Sequence, residues 1–157
     1  MNKLRTLKIT LSAFVLAMTS VSSYALSCVV TLVKDNCWLD YDVTIDIQDS
    51  RKKVSLSKAL IPKGKNWNRV SFECEPTQVL SATAMFSPAI WEKDKDKVYN
   101  AVRFWTLPGL PPEKEALWSI NICFPGQFES VPSPLQTQNC GCSLDGIPPV
   151  ENTNLIN

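Results

Sequence analysis

The 157-residue chain contains no histidine. That absence excludes Ser-His-Asp and Cys-His catalysis and every zinc site with an imidazole ligand, leaving carboxylates, lysine and tyrosine as the acid-base candidates. An enzyme is therefore not expected, and no cofactor is. The sequence also lacks any Asn-x-Ser/Thr glycosylation acceptor, which in an exported chain this rich in asparagine fits a bacterial periplasm better than a eukaryotic secretory route. Beyond residue 25 there is no apolar run long enough to span a bilayer, and no window of twelve or more residues carries a helical period.

What is present begins with an export signal. Lys3, Arg5 and Lys8 precede an apolar run from Ile9 to Val21, shorter than the ~20 residues a spanning helix needs. A signal peptide is expected over residues 1–25. Ser23 and Ala25 supply the small side chains at −3 and −1 of a cut that leaves Leu26 first and releases the product to the periplasm. The alternative takes Ala25-Leu26-Ser27-Cys28 as a lipobox, with Cys28 the acylated first residue of an anchored lipoprotein, although Leu26 is bulky where that motif prefers a small residue. Loss of Lys3, Arg5 and Lys8 lowers the formal charge from +1 to −2. Neither nucleic-acid binding nor stable membrane insertion is expected of such a product.

All six cysteines, Cys28, Cys37, Cys74, Cys123, Cys140 and Cys142, lie beyond Ala25. An even count in an exported chain predicts disulfides, and lipidation of Cys28 would strand one thiol. Only Gly141 separates Cys140 from Cys142, so a direct bridge between them would be strained, and both are expected to reach back to the body of the domain.

About 132 residues after the signal suffice for one domain with a real core. Their pattern is short apolar alternation broken by turn residues. In CWLDYDVTIDI, Tyr41, Val43, Ile45 and Ile47 share one face, and Asp40, Asp42, Thr44 and Asp46 the other, the period of a half-buried strand. The same device recurs in RVSFEC (Val70, Phe72, Cys74), VLSATAMF (Leu80, Ala82, Ala84, Phe86), VYNAVRFW, and ALWSINICF (Trp118, Ile120, Ile122, Phe124 inward; Ser119 and Asn121 outward). Runs such as QDSRKK, IPKGK and EKDKDK mark turns between them. This predicts an all-β protein, an immunoglobulin-like β-sandwich of about seven short antiparallel strands, with a small closed barrel as the alternative. The organisation expected is a signal peptide (1–25), a β-sandwich domain (26–124) and a Pro-rich, disulfide-anchored tail (125–157). Pro125, Pro132, Pro134, Pro148 and Pro149 make that tail an extended surface segment rather than a strand.

Three constellations invite chemistry. Asp40, Asp42 and Asp46 resemble a glycosidase carboxylate set, against the plainer reading of a solvated strand face. Glu92, Asp94 and Asp96 suggest a calcium loop, but the interleaved lysines oppose a cation and the loop glycine is missing. Cys140-Gly141-Cys142 suggests a dithiol redox pair, against structural bridging. The five tryptophans are a separate matter. Trp38 and Trp118 suit the core, whereas Trp67, Trp91 and Trp105 are candidate interface residues, since an exposed indole contributes much rigid contact area. The competing reading has them plug the ends of the sandwich.

Taken in order, SCVVTLVKDNCW, IPKGKNW, FSPAIWEKDK, VRFWTLP and WSINICFPGQFESVPSP resemble the EirA-type periplasmic proteins of intracellular bacterial pathogens. The resemblance covers nearly all of the chain after the signal. It implies a non-enzymatic accessory of the Dot/Icm type IV secretion system that supports growth inside a host cell, with protein partners in the bacterial envelope, among them secretion-system components. It carries no site residue across. The residues themselves imply a binding or assembly protein that self-associates as a homo-oligomer through a strand edge or a tryptophan patch. The alternative is a secreted or periplasmic carbohydrate-binding β-sandwich module using Trp67, Trp91 or Trp105 as a platform.

Overall fold

The computed structural model describes residues 26–109, 117–134 and 139–151; the expected signal peptide and the end of the tail lie outside them. The strands are β1 (Leu26–Lys34), β2 (Asp42–Asp49), β3 (Val54–Ile61), β4 (Trp67–Cys74), β5 (Val79–Ser87), β6 (Tyr99–Asn100), β7 (Trp105–Thr106) and β8 (Leu117–Phe124). The alternation in β2 is realised as expected, with Val43, Ile45 and Ile47 buried and Thr44, Asp46 and Gln48 on the other face. Antiparallel β5 sets Ala84 and Ala82 against Ile45 and Ile47. Those small side chains leave room for the rings arriving from the next strands.

A five-stranded sheet runs β3-β2-β5-β6, with β7 also on β5, and a three-stranded sheet runs β4-β1-β8. Each buries one apolar face against the other, because a sheet that is apolar on one side is stable only when that side is covered. Two separate sheets rather than one closed one make this an all-β sandwich and not a barrel. Between them Trp38, fully buried, lies 4.7 Å from the Phe86 ring, 4.8 Å from Phe124 and 4.9 Å from Tyr41, centroid to centroid. Burying such rings contributes about 1.5–3 kcal/mol each.

The structure departs from the expected pattern in three places. One pair is parallel: β1 runs antiparallel to β4 but parallel to β8, and the whole intervening chain serves as the crossover that parallel strands require. Two strands lie where the sequence shows no clean alternation, β1 and β3. β1 is a central strand buried on both faces, apart from Ser27. Cys28, Val30 and Leu32 enter the core, while Thr31 lines a crevice with Leu144, Ile147 and Pro148 of the tail. Finally, VYNAVRFW is two short strands and not one. The Val102 N–H leaves the sheet to donate to the Gln127 carbonyl at 2.9 Å, and the break leaves Val102 and Phe104 exposed.

Three disulfides staple the sandwich, Cys28–Cys74, Cys37–Cys140 and Cys123–Cys142. Cys140 and Cys142 reach back to the body, as expected. The bridge at Cys28 uses the sulfur that lipidation would need. Disulfides of this number belong to an oxidising compartment, and no helix among the described residues is long and apolar enough to cross a membrane. Arg69 on β4 holds the tail from below: its guanidinium donates to the Pro148 carbonyl and, at 3.4 Å, to the Pro149 carbonyl, and its Nε donates to Thr31 Oγ1 at 3.0 Å.

The turn after β2 is built on Asp49, whose buried carboxylate accepts the Lys52 N–H at 2.7 Å, the Arg51 N–H at 2.8 Å and Gln78 Nε2 at 2.8 Å. These bonds, the Lys52 N–H foremost and then Gln78, hold its pKa below the ordinary carboxylate value. A depressed folded pKa contributes stability that is present above the unfolded value of 3.8 and lost as pH falls through the lowered one. Asp49→Asn is therefore expected to flatten the fall of melting temperature below about pH 4. Melting curves of both proteins across the acid range check it. Parallel curves would refute the assignment.

Candidate functional site

The constellations that suggested chemistry are engaged structurally. Asp42 accepts the Lys63 N–H at 2.6 Å, Asp46 accepts from Ser55 Oγ and from Gln48 Nε2, and Asp40 pairs with Lys63 at 3.4 Å. They tie β2 to β3 and its following turn. Asp94 is buried and paired with Lys97 at 3.3 Å, while Glu92 and Asp96 stay exposed. Among the described residues they gather no ligand set. Asp35, Cys37 and Cys140 do converge within 4.8 Å, but the two sulfurs are bonded to each other, so neither is a thiolate ligand. Asp35 caps the short 3-10 turn Asn36–Trp38, accepting the Cys37 N–H at 2.9 Å. Burial pushes its pKa up, against the bonds from Cys37 and Trp38.

The three candidate tryptophans fall in three different settings. Trp91 is the exposed one, with 54% of its surface free, at the start of the 3-10 turn Glu92–Asp94. Trp67 is half-buried on β4, with the Arg69 guanidinium 5.5 Å from its ring centre, so its face supports the arginine that holds the tail. Trp105 is buried at 6% exposure, on the inward face rather than free in solvent. The cause is register: β7 pairs with β5 so that Trp105 stands opposite Leu80, on the inward face. Its indole Nε1 is buried without a hydrogen-bond partner among the described residues.

Trp105 nevertheless forms one wall of an open cleft of about 540 Å³, between Arg103–Pro108 and the first half of β8. It marks the side of the sandwich where β7 of one sheet and β8 of the other lie unjoined. Further along, the Gln127–Glu129 segment closes that side, through Val102 N–H to Gln127 O at 2.9 Å and Glu129 N–H to Asn100 O at 2.8 Å. On the opposite side Asn68 Nδ2 reaches from β4 to the Leu60 carbonyl of β3 at 2.8 Å. The cleft is lined by Trp105, Leu107, Leu117, Trp118 and Ile120. Phe104 stands at its rim with 64% of its surface exposed, the most exposed large apolar side chain described. The Arg103 guanidinium lies 5.3 Å from the Trp105 ring centre.

Among the described residues, the edge of β8 beside this cleft has no pairing strand. Cys123 turns its backbone outward, its N–H donating to Gln127 Oε1 at 3.1 Å and its carbonyl accepting the Gln127 N–H at 3.1 Å. The period of two along a strand then places the N–H and C=O groups of Asn121 and Ser119 on the same outer edge. No described residue hydrogen-bonds to them. Sequence reasoning placed Ser119 and Asn121 on the outer face but missed Phe104 and the open edge. The available signal was a charge-free run from Leu117 to Phe124 in a chain that is 20% charged.

No protein-family model, no curated protein and no solved structure matches this chain.

Proposed function

We propose that this protein is an exported, non-enzymatic binding protein of the bacterial periplasm that works through protein–protein contact, as an accessory of a Dot/Icm type IV secretion system in an intracellular pathogen. The observation that carries the interaction is the edge of β8, uncharged and, among the described residues, unpaired, beside an aromatic cleft, since an open strand edge is a template for another polypeptide backbone. Exposed Trp91 and Phe104 supply rigid anchors of the kind that dominate protein interfaces. The secretion-system role is supported by the resemblance of SCVVTLVKDNCW and WSINICFPGQFESVPSP to the EirA-type proteins. The carbohydrate-binding alternative would rest on Trp91, since Trp105 is buried and the ring of half-buried Trp67 lies under the Arg69 guanidinium.

Complementation of a deletion strain tests the reading, with each variant first shown to fold by its melting temperature. Trp91→Ala is expected to lose about 2 kcal/mol of partner binding and fail to restore growth in host cells. The double variant Asp42→Asn, Asp46→Asn keeps its hydrogen-bond acceptors and should restore it. If the folded aspartate variant fails while Trp91→Ala succeeds, the site is carboxylate chemistry and the proposal is wrong. Quenching of tryptophan fluorescence by glycans would instead support the carbohydrate reading.

A further inference from the structure

We propose that the outer edge of β8, which no described residue pairs, joins β8 of a second copy of this chain, antiparallel and centred on Ser119, merging two three-stranded sheets into one of six. This rests on the protein-interaction reading and names its first partner.

The other sheet edges are short or charged, as monomeric proteins blunt them. β3 carries Lys58, β4 carries Arg69 and Glu73, and β6 and β7 have only two residues each. β8 has eight residues with neither a charge nor a proline. No like charges meet when it faces itself, so self-pairing lacks the repulsion that opposes it elsewhere.

The register follows from the groups that are free. Antiparallel pairing needs residues whose N–H and C=O point outward to face one another, and a two-fold axis through Ser119 sets Ser119 against Ser119 of the second copy. It sets Leu117 against Asn121 and Asn121 against Leu117. All of these are odd-numbered positions, so each facing pair exchanges both of its backbone bonds. Between them Trp118 meets Ile120 of the second copy twice over, the aromatic with β-branched pairing that sheets favour. Both side chains line the cleft, so the incoming strand sets its own Ile120 and Trp118 beside it, near exposed Phe104. The pairing stops where it should. Past Asn121 the next outward groups belong to Cys123, and Gln127 already holds them.

Light scattering and sedimentation of the full oxidised chain across a dilution series test this. The wild type is expected to run as a dimer. Ser119→Lys and Ser119→Glu alter an exposed side chain, so each should keep its melting temperature and all three disulfides. Each places like charges across the two-fold axis and should weaken dimerisation roughly tenfold or more. An equimolar mixture of the two should recover a heterodimer. The proposal is overturned if the wild type stays monomeric, if Ser119→Lys stays dimeric, or if the mixture stays monomeric. A monomer that captures an envelope protein and loses it on Ser119→Lys assigns the edge to a different partner. That outcome refutes self-pairing while leaving the protein-interaction function standing. A monomer whose Ser119 and Asn121 amides resist hydrogen exchange assigns the cover to this chain's own residues, and equally refutes self-pairing.

Discussion

Replacement of Cys28 and Cys74 together by alanine is expected to remove about 4 kcal/mol of folding stability, on the loop-closure entropy of a cross-link spanning 46 residues. Both positions are buried, at 0% and 3% exposure, so truncating the sulfurs also leaves a small void. That adds a cost on the order of 1 kcal/mol. The bridge ties β1 to β4 diagonally, since Leu26 faces Cys74 and Cys28 faces Phe72 in the ladder. Without it the pairing survives but the denatured chain is freed. A drop in melting temperature on the order of 15 °C follows for a domain of this size. Guanidinium unfolding of the oxidised double variant beside the wild type measures it. A loss below about 1 kcal/mol would refute the loop-closure account and show that the denatured chain is held compact without the bridge.

Much of this frame was legible because one-sided burial writes itself into sequence as alternation. β2, β5 and β8 each keep one face for the core, and DVTIDIQD, VLSATAMF and WSINICF state that face directly. β1 was not legible for the opposite reason. Covered by the core on one side and the tail on the other, its SCVVTLV is nearly uniform, and a short apolar run does not announce its period. β3 was hidden by exposure: at the sheet edge it buries only Ala59 and Ile61, too few to mark a face.

The site was less legible than the fold. Whether an aromatic at a strand end faces in or out depends on pairing register, and one residue of slip exchanges the faces. Trp105 is buried because it meets Leu80, while Phe104, one position earlier, is thrown outward. Nothing local in RFWTLP decides between them. That β8 lies at the edge of its sheet among the described strands is likewise a property of strand order, fixed by which strands lie beside β8 and not by β8 itself.

Lys34→Met is expected to destabilise the fold by about 2–3 kcal/mol at neutral pH, the cost of removing hydrogen bonds given by a charged donor to partly buried carbonyls. The wild-type side chain is almost wholly buried, at 1% exposure. Its ammonium donates to the carbonyl of Tyr41, to that of Pro62 at 3.0 Å and more weakly to that of Ile61 at 3.5 Å. It thereby pins the turn after the Asn36–Trp38 segment to the end of β3. The Pro62 carbonyl also takes the Lys65 N–H at 3.0 Å, so the loss falls mainly on Tyr41. Methionine matches the length of the stem but donates nothing. Burial lowers the Lys34 pKa from its ordinary 10.5, against the opposing pull of Asp42 and Asp40. Between the lowered folded value and 10.5 the unfolded chain binds more protons, so wild-type stability gains with rising pH across that window. The variant has no such gain. Tyr99, whose pKa is raised chiefly by burial, acts in the other direction in both proteins and cancels from the difference. Urea unfolding of the two proteins from neutral pH toward 10.5 should therefore show a gap that widens as the solution becomes alkaline. A constant gap would mean that the buried lysine is charged in the folded and unfolded states alike, and that its three carbonyls fully replace the water it gave up.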